Sequence, residues 1–131
     1  MKRRGILHRD LSGLVASLGH TDLICIADAG LPIPQGVVRI DLALRCGLPP
    51  FLETVRACLD EIVVQRAIVA SEMPGRNRVA YEGLCALLGQ IPVEQVPHEH
   101  LKAMLARVRA VVRTGECTPY ANVVLESGVA F

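Results

Sequence analysis

The chain has 131 residues, enough for one domain with one core, and its 14 basic and 13 acidic residues leave a formal charge of +1. That balance excludes the basic footprint of a nucleic-acid binder, and no apolar run approaches the length of a membrane span. Apolar residues make up 51% while aromatics are 3% and Trp is absent, so the core must be aliphatic and the surplus apolar surface implies contacts between subunits.

Lys2-Arg3-Arg4 is a basic start, but His8, Arg9 and Asp10 interrupt anything resembling a signal-peptide core. Asp10 caps a predicted helix in which Leu11, Leu14, Val15 and Leu18 repeat at helical spacing, with Gly19 as its stop. Leu23 to Ala27 is a short apolar run with β-branched Ile24 and Ile26, and reads as a buried strand. Gly30, Pro32 and Pro34 then deny the chain a helix. Val37 to Leu42 is a second extended piece. Pro49-Pro50 opens a helix striped by Leu52, Val55, Leu59 and Ile62.

Ala67 to Ala70 is a third buried strand, closed by Glu72 and the turn-rich stretch Pro74 to Asn77. A helix follows with Ala80, Leu84, Leu87 and Leu88 on one face and Gly89 at its end. Ile91 to Val96, flanked by Pro92 and Pro97, suits an edge strand. From His98 the spacing of Leu101, Met104, Leu105, Val108, Val111 and Val112 predicts one long helix stopped by Gly115. Glu116 to Tyr120 is a turn, Asn122 to Leu125 a last strand, and Gly128 to Phe131 an apolar tail. Alternating strands and helices predict an α/β fold, a single layered domain over 1–131 with a central β-sheet flanked by helices.

The sequence holds no dinucleotide fingerprint, phosphate loop or serine-hydrolase elbow. His98 and His100 form an HxH pair, but residues two apart on a helix diverge and no third ligand is evident, so no metal is expected. The five cysteines show no CxxC spacing and read as reduced, mostly buried thiols of a cytosolic protein, Cys25 and Cys117 among the buried ones. Polar groups gather at element ends: His20 and Asp22 before the first strand, Asp28 after it, then His98 and Tyr120-Ala121-Asn122. Such groups suit acid–base work or the recognition of a polyhydroxylated ligand. The same spacing also fits ordinary turn residues and an exposed helix-end histidine.

Leu18-Gly19-His20-Thr21-Asp22, Asp28-Ala29-Gly30-Leu31-Pro32-Ile33-Pro34 and Arg39-Ile40-Asp41 resemble the D-ribose pyranase family, as do His98-Glu99 and Gly115-Glu116-Cys117-Thr118-Pro119-Tyr120-Ala121-Asn122. The related L-fucose mutarotases share the Gly-His start and the closing Tyr-x-Asn, but usually lack the other two signatures. Pro97 and His100 depart from residues more usual in the family.

The resemblance implies a cytoplasmic, cofactor-free isomerase that interconverts pyranose and furanose forms of D-ribose, built as a ring-shaped homo-oligomer, typically a homodecamer. It implies His20 as proton donor, with Asp28, His98, Tyr120, Ala121 and Asn122 contacting the sugar. The chemistry agrees in type: opening a hemiacetal and re-closing it moves protons only, so no redox cofactor or metal is required. His20 lies just past a helix C-terminus, a setting that suits a donor. Two other readings use the same residues: a ribose-binding or regulatory module without turnover, and a mutarotase acting on another sugar such as L-fucose. A purely structural subunit would account for the apolar composition alone.

Overall fold

The computed structural model describes all residues, 1–131. Its centre is a six-stranded sheet in the order β2-β5-β1-β6-β3-β4, with β1 Leu23–Ala27, β2 Arg39–Asp41, β3 Val64–Ala70, β4 Val93–Val96, β5 Ala110–Arg113 and β6 Val123–Ser127. β5 pairs parallel with both β1 and β2, and β3 pairs parallel with β4. β6 lies antiparallel between β1 and β3. All strands except β6 therefore run the same way. Their C-terminal ends share one edge of the sheet with the start of β6.

Side-chain alternation divides the core. Ile24, Ile26, Ala110, Val112, Val123 and Leu125 point to one face, where they pack with Leu11, Phe51, Val55, Leu84 and Leu88. Those partners come from α1 Arg9–Ser17, α2 Phe51–Leu59 and α4 Arg78–Leu88. Cys25, Ala27, Ile68, Val111 and Val124 point to the other face, covered by Leu101, Leu105, Val108 and Leu31. The central strands are apolar on both sides because both sides are covered, which is why they read as continuous runs. Leu101 is the buried side chain of α5 His98–Met104 and the helix's anchor to its face.

Several expectations need correction. The long helix after His98 ends at Met104, passes through one 3-10 turn at Leu105–Arg107, and gives way to β5. Val108, Val111 and Val112 have helical spacing by coincidence. Ala110-Val111-Val112, with two β-branched valines, is buried on both faces between β2 and β1, and its pairing outweighs the periodic signal. Gly115 is no helix stop: a Cβ there would lie 2.2 Å from the Leu48 carbonyl oxygen and 2.5 Å from that of Arg45. The α1 cap is His8, whose Nδ1 accepts from Leu11 N–H at 3.3 Å, while Asp10 lies in the first turn. The stretch after Glu72 holds a short helix, α3 Met73–Arg76.

The cysteines also differ from expectation. All five are free, but Cys46 and Cys117 are exposed and Cys85 is half-buried. Cys25 and Cys58 are buried; burial pushes the Cys58 thiol up to about 12 and that of Cys25 further still. No helix is long and apolar enough to cross a membrane.

Leu101→Ala removes the apolar anchor of α5 and is expected to cost about 2–5 kcal/mol in urea unfolding. A change below about 1 kcal/mol would mean that α5 is held by something other than its packing.

Candidate functional site

The loops at the C-terminal edge of the parallel strands converge on Asp28, the residue after β1. Asp28 N–H donates to Asn122 Oδ1 at 2.9 Å, and Asn122 Nδ2 donates back to Asp28 Oδ2 at 2.8 Å. The other Asp28 oxygen accepts from Gly30 N–H at 2.9 Å. Asn122 is fully buried, so the exchange satisfies both ends of its amide. The carboxylate stays half-exposed with lone pairs to spare.

Tyr120 stands next to this pair with φ 59°, a left-handed conformation that is rare for a bulky residue. Its carbonyl accepts from Asn122 N–H at 2.8 Å. The Tyr120 ring meets His98 edge-on, with centroids 5.1 Å apart and planes at 86°. His98 Nδ1 is buried without a hydrogen-bond partner. Ala121 has its side chain in the core, so only its backbone can face a ligand. Asp28, His98, Tyr120 and Asn122 are thus brought together.

Residues outside the expected sugar contacts hold this loop in place. Thr114 Oγ1 donates to Ala27 O at 2.8 Å and accepts from Glu116 N–H at 3.1 Å. One Glu116 oxygen receives Phe51 N–H at the start of α2, and the other receives Thr118 N–H and Oγ1–H. Glu116 therefore caps a helix and shapes the closing turn at once. Asn77 accepts from Ala80 N–H at the start of α4, while its Nδ2 donates to Thr118 Oγ1 at 2.7 Å and Pro119 O at 2.8 Å. Asp41 pairs with Arg113 at 2.9 Å, and Arg113 Nε donates to Ala29 O.

Glu72, just after β3, receives the backbone N–H of His98 at 3.0 and 3.2 Å. Its carboxyl is held below the usual carboxylate range by its own backbone N–H first, then by that of His98. The tie is therefore present above the ordinary carboxylate range and lost as pH falls through the lowered value.

His20 is elsewhere. It precedes β1, whereas Asp28 follows it, and the strand alone separates their ends by about 13 Å at ~3.3 Å per residue. His20 Nε2 lies 3.0 Å from Gln65 Oε1 near the start of β3. Its groove, about 430 Å³, is shared with Val63, Gly128, Val129 and Phe131. A second open groove, about 440 Å³, lies beside Asp28 and is bounded by Gly30, Glu116, Cys117, Thr118 and Pro119. No group of three or more His, Cys, Asp or Glu side chains is placed to hold a metal ion.

The family described as the RbsD / FucU transport protein family matches residues 1–130. A D-ribose pyranase of Symbiobacterium thermophilum is 55% identical over 131 residues, all of both chains. One from Geobacillus kaustophilus is 52% identical over all of this chain and 96% of its own. Among solved structures, Bacillus subtilis RbsD complexed with D-ribose superposes with a TM-score of 0.97 at 45% identity, covering 100% of both chains. A fucose mutarotase from Streptococcus pneumoniae in complex with L-fucose reaches 0.79 at 20% identity over 95% of each chain, which shows a common fold.

Asn122→Asp would set a second carboxylate against Asp28 and leave one former donor as an acceptor. Expected at neutral pH is a loss of about 1–3 kcal/mol, shrinking as the pH falls and one carboxyl takes a proton. Urea midpoints of both proteins between pH 4 and 8 check it, on a grid spanning the ordinary carboxylate range at about 4; a deficit that does not change with pH would contradict it.

Proposed function

Because the chain belongs to the RbsD / FucU transport protein family, we infer that it is a D-ribose pyranase, an isomerase that interconverts the pyranose and furanose forms of D-ribose without a cofactor. The observation that carries this reading is the Asp28–Asn122–Tyr120–His98 cluster at the C-terminal sheet edge. That edge is where open α/β sheets commonly bind ligands. Full-length identities of 52% and 55% with D-ribose pyranases support it.

In this reading Asp28 accepts hydrogen bonds from adjacent sugar hydroxyls, with its angle fixed by Asn122 and Gly30. The Tyr120 ring and His98 wall the same sugar, and the unpartnered His98 Nδ1 is satisfied on binding. The Ala121 backbone completes the contact. His20 gives a proton to the ring oxygen while solvent water takes the one the anomeric hydroxyl loses; the open aldehyde then re-closes through a different hydroxyl with both transfers reversed. Acid–base assistance of this kind contributes ~10²–10⁴-fold.

One protomer does not bring His20 to Asp28, because they lie at opposite edges of the sheet. The site we propose is shared: His20 of one copy meets Asp28, His98, Tyr120 and Asn122 of a neighbour. Each of the two open grooves is then closed by another subunit. The apolar surface around His20, including Val63, Val129 and Phe131, is exposed in the single chain and suits that contact. A closed ring, a homodecamer by resemblance to the family, repeats the contact with no unmatched end. The protein acts as one domain over 1–131, in the cytoplasm.

His20→Ala is expected to abolish pyranose–furanose exchange, read by saturation-transfer NMR on ribose, while assembly and ribose binding persist. Unchanged exchange would remove His20 from the reaction, whereas ribose binding with no catalysed exchange by the wild type would favour a ribose-binding module. Asp28→Ala is expected to be inactive through lost binding. Co-assembling the two inactive variants should restore about a quarter of wild-type exchange, since random mixing gives that fraction of shared sites both intact halves. No recovery would place both halves in one copy. Running the same exchange measurement on L-fucose separates a mutarotase for that sugar.

A further inference from the structure

His20 is exposed, yet its ring is not free. Nε2 faces Gln65 Oε1 at 3.0 Å, and Gln65 Nε2 donates to Glu126 Oε1 in a short hydrogen bond. Glu126 in turn accepts from Arg66 Nε at 3.1 Å and pairs with the Arg66 terminal nitrogen. Arg66 is steadied by Glu94 at 2.7 Å. The turn that carries His20 is pinned to the same strand: Thr21 N–H donates to Ser127 O, and Ser127 N–H to Asp22 O, both at 2.9 Å. Thr21 has φ 68°, so this turn is bent sharply enough to need both ties.

The donor and acceptor inventory of this chain has one consistent solution. An ionised carboxylate accepts only, so the Gln65 NH2 must face Glu126, and the amide oxygen must face His20. An amide oxygen also accepts only, so the proton of that bond belongs to His20 Nε2. The Gln65 and Arg66 hydrogen bonds hold the Glu126 carboxyl below its usual range, which keeps it an acceptor.

We propose that Gln65 and Glu126 are positioning residues for His20: Glu126 orients the Gln65 amide, Gln65 holds the proton on Nε2, and Nδ1 is the nitrogen that exchanges a proton with the sugar. The proposal rests on the reading of His20 as the acid–base group. When the imidazolium acts as acid, the Nδ1–H bond breaks, the ring oxygen gains that proton, and the ring keeps Nε2–H. The chain from Glu126 does not conduct protons, because an amide is neither acid nor base near neutrality. It sets the tautomer and the angle of the ring.

Nitrogen-15 spectra of histidine in the sugar-free protein test this apart from catalysis. Neutral His20 is expected as the Nε2–H tautomer in the wild type and as a mixture, or with a mobile ring, in Gln65→Leu. Nδ1–H in the wild type would overturn the proposal even if His20→Ala is inactive. In exchange NMR, Gln65→Leu should lower the saturated rate about 10–100-fold, with the half-saturating ribose concentration little changed.

The exchanged pair Gln65→Glu with Glu126→Gln preserves the logic, since a carboxylate at 65 still accepts from Nε2–H and an amide at 126 still donates to it. It should recover exchange to within a few-fold of wild type. Recovery no better than Gln65→Leu, or a Gln65→Leu rate within twofold of wild type, would overturn the positioning role. If His20→Ala itself keeps full exchange, the acid–base reading fails and this inference falls with it.

Discussion

The two hydrogen bonds exchanged between Asp28 and Asn122 are the constraint on which the rest of the structure turns. They join the end of β1 to the start of β6, two points 94 residues apart in the chain. A sheet built from parallel strands usually keeps hairpin neighbours out. Here the last strand enters the middle in the opposite sense, between β1 and β3. Its entry point must therefore be specified, because slipping by one residue would turn Val124 from one core face to the other. A buried amide with both ends matched supplies that specification. The alternative register would leave a polar group unpaired in a fully buried position, at a cost of about 1–3 kcal/mol.

Around that pair the site is assembled from groups that mostly serve two purposes. Glu116 shapes the closing turn and caps α2. Asn77 caps α4 and holds Thr118. Glu72 fixes where α5 begins, and with it where His98 stands against Tyr120. The strained Tyr120 backbone persists because its neighbours on both sides are tied down. The helices on one face of the sheet are thus connected mechanically to the loop that carries the candidate sugar contacts.

The parts of the fold that were legible in the sequence are those governed by local pattern. β1 and β3 announce themselves as short β-branched runs, and the edge position of β4 follows from Pro92 and Pro97. β5 was hidden because Val108, Val111 and Val112 satisfy a helical period as well as a strand. Only the partners on either side decide between them, and those are remote in the chain. The same holds for the site. Asp28, Asn122, His98 and Tyr120 stand out at element ends within recognisable motifs. Gln65, Arg66 and Glu126 resemble the solvated face of a strand, since their significance lies in contacts across 45 to 61 positions. That His20 and Asp28 flank opposite ends of β1 was legible from the strand's placement, whereas the Gln65 partner that holds His20 away from Asp28 was not.

The reversed direction of β6 has one more consequence. This strand begins at the Asp28 edge and ends at the His20 edge, so five residues, Val123–Ser127, set the distance between two chemically different surfaces. It works as a rigid ruler of about 14 Å at ~3.4 Å per antiparallel residue. Its length cannot change by one residue without also exchanging the side chains it presents to the two core faces. In a shared-site assembly each copy would be an anchor toward one neighbour and an acid toward the other, with the spacing of consecutive sites set by a single strand. Evolution of the sugar pocket can then alter loops freely at either edge, but it cannot move the two edges apart.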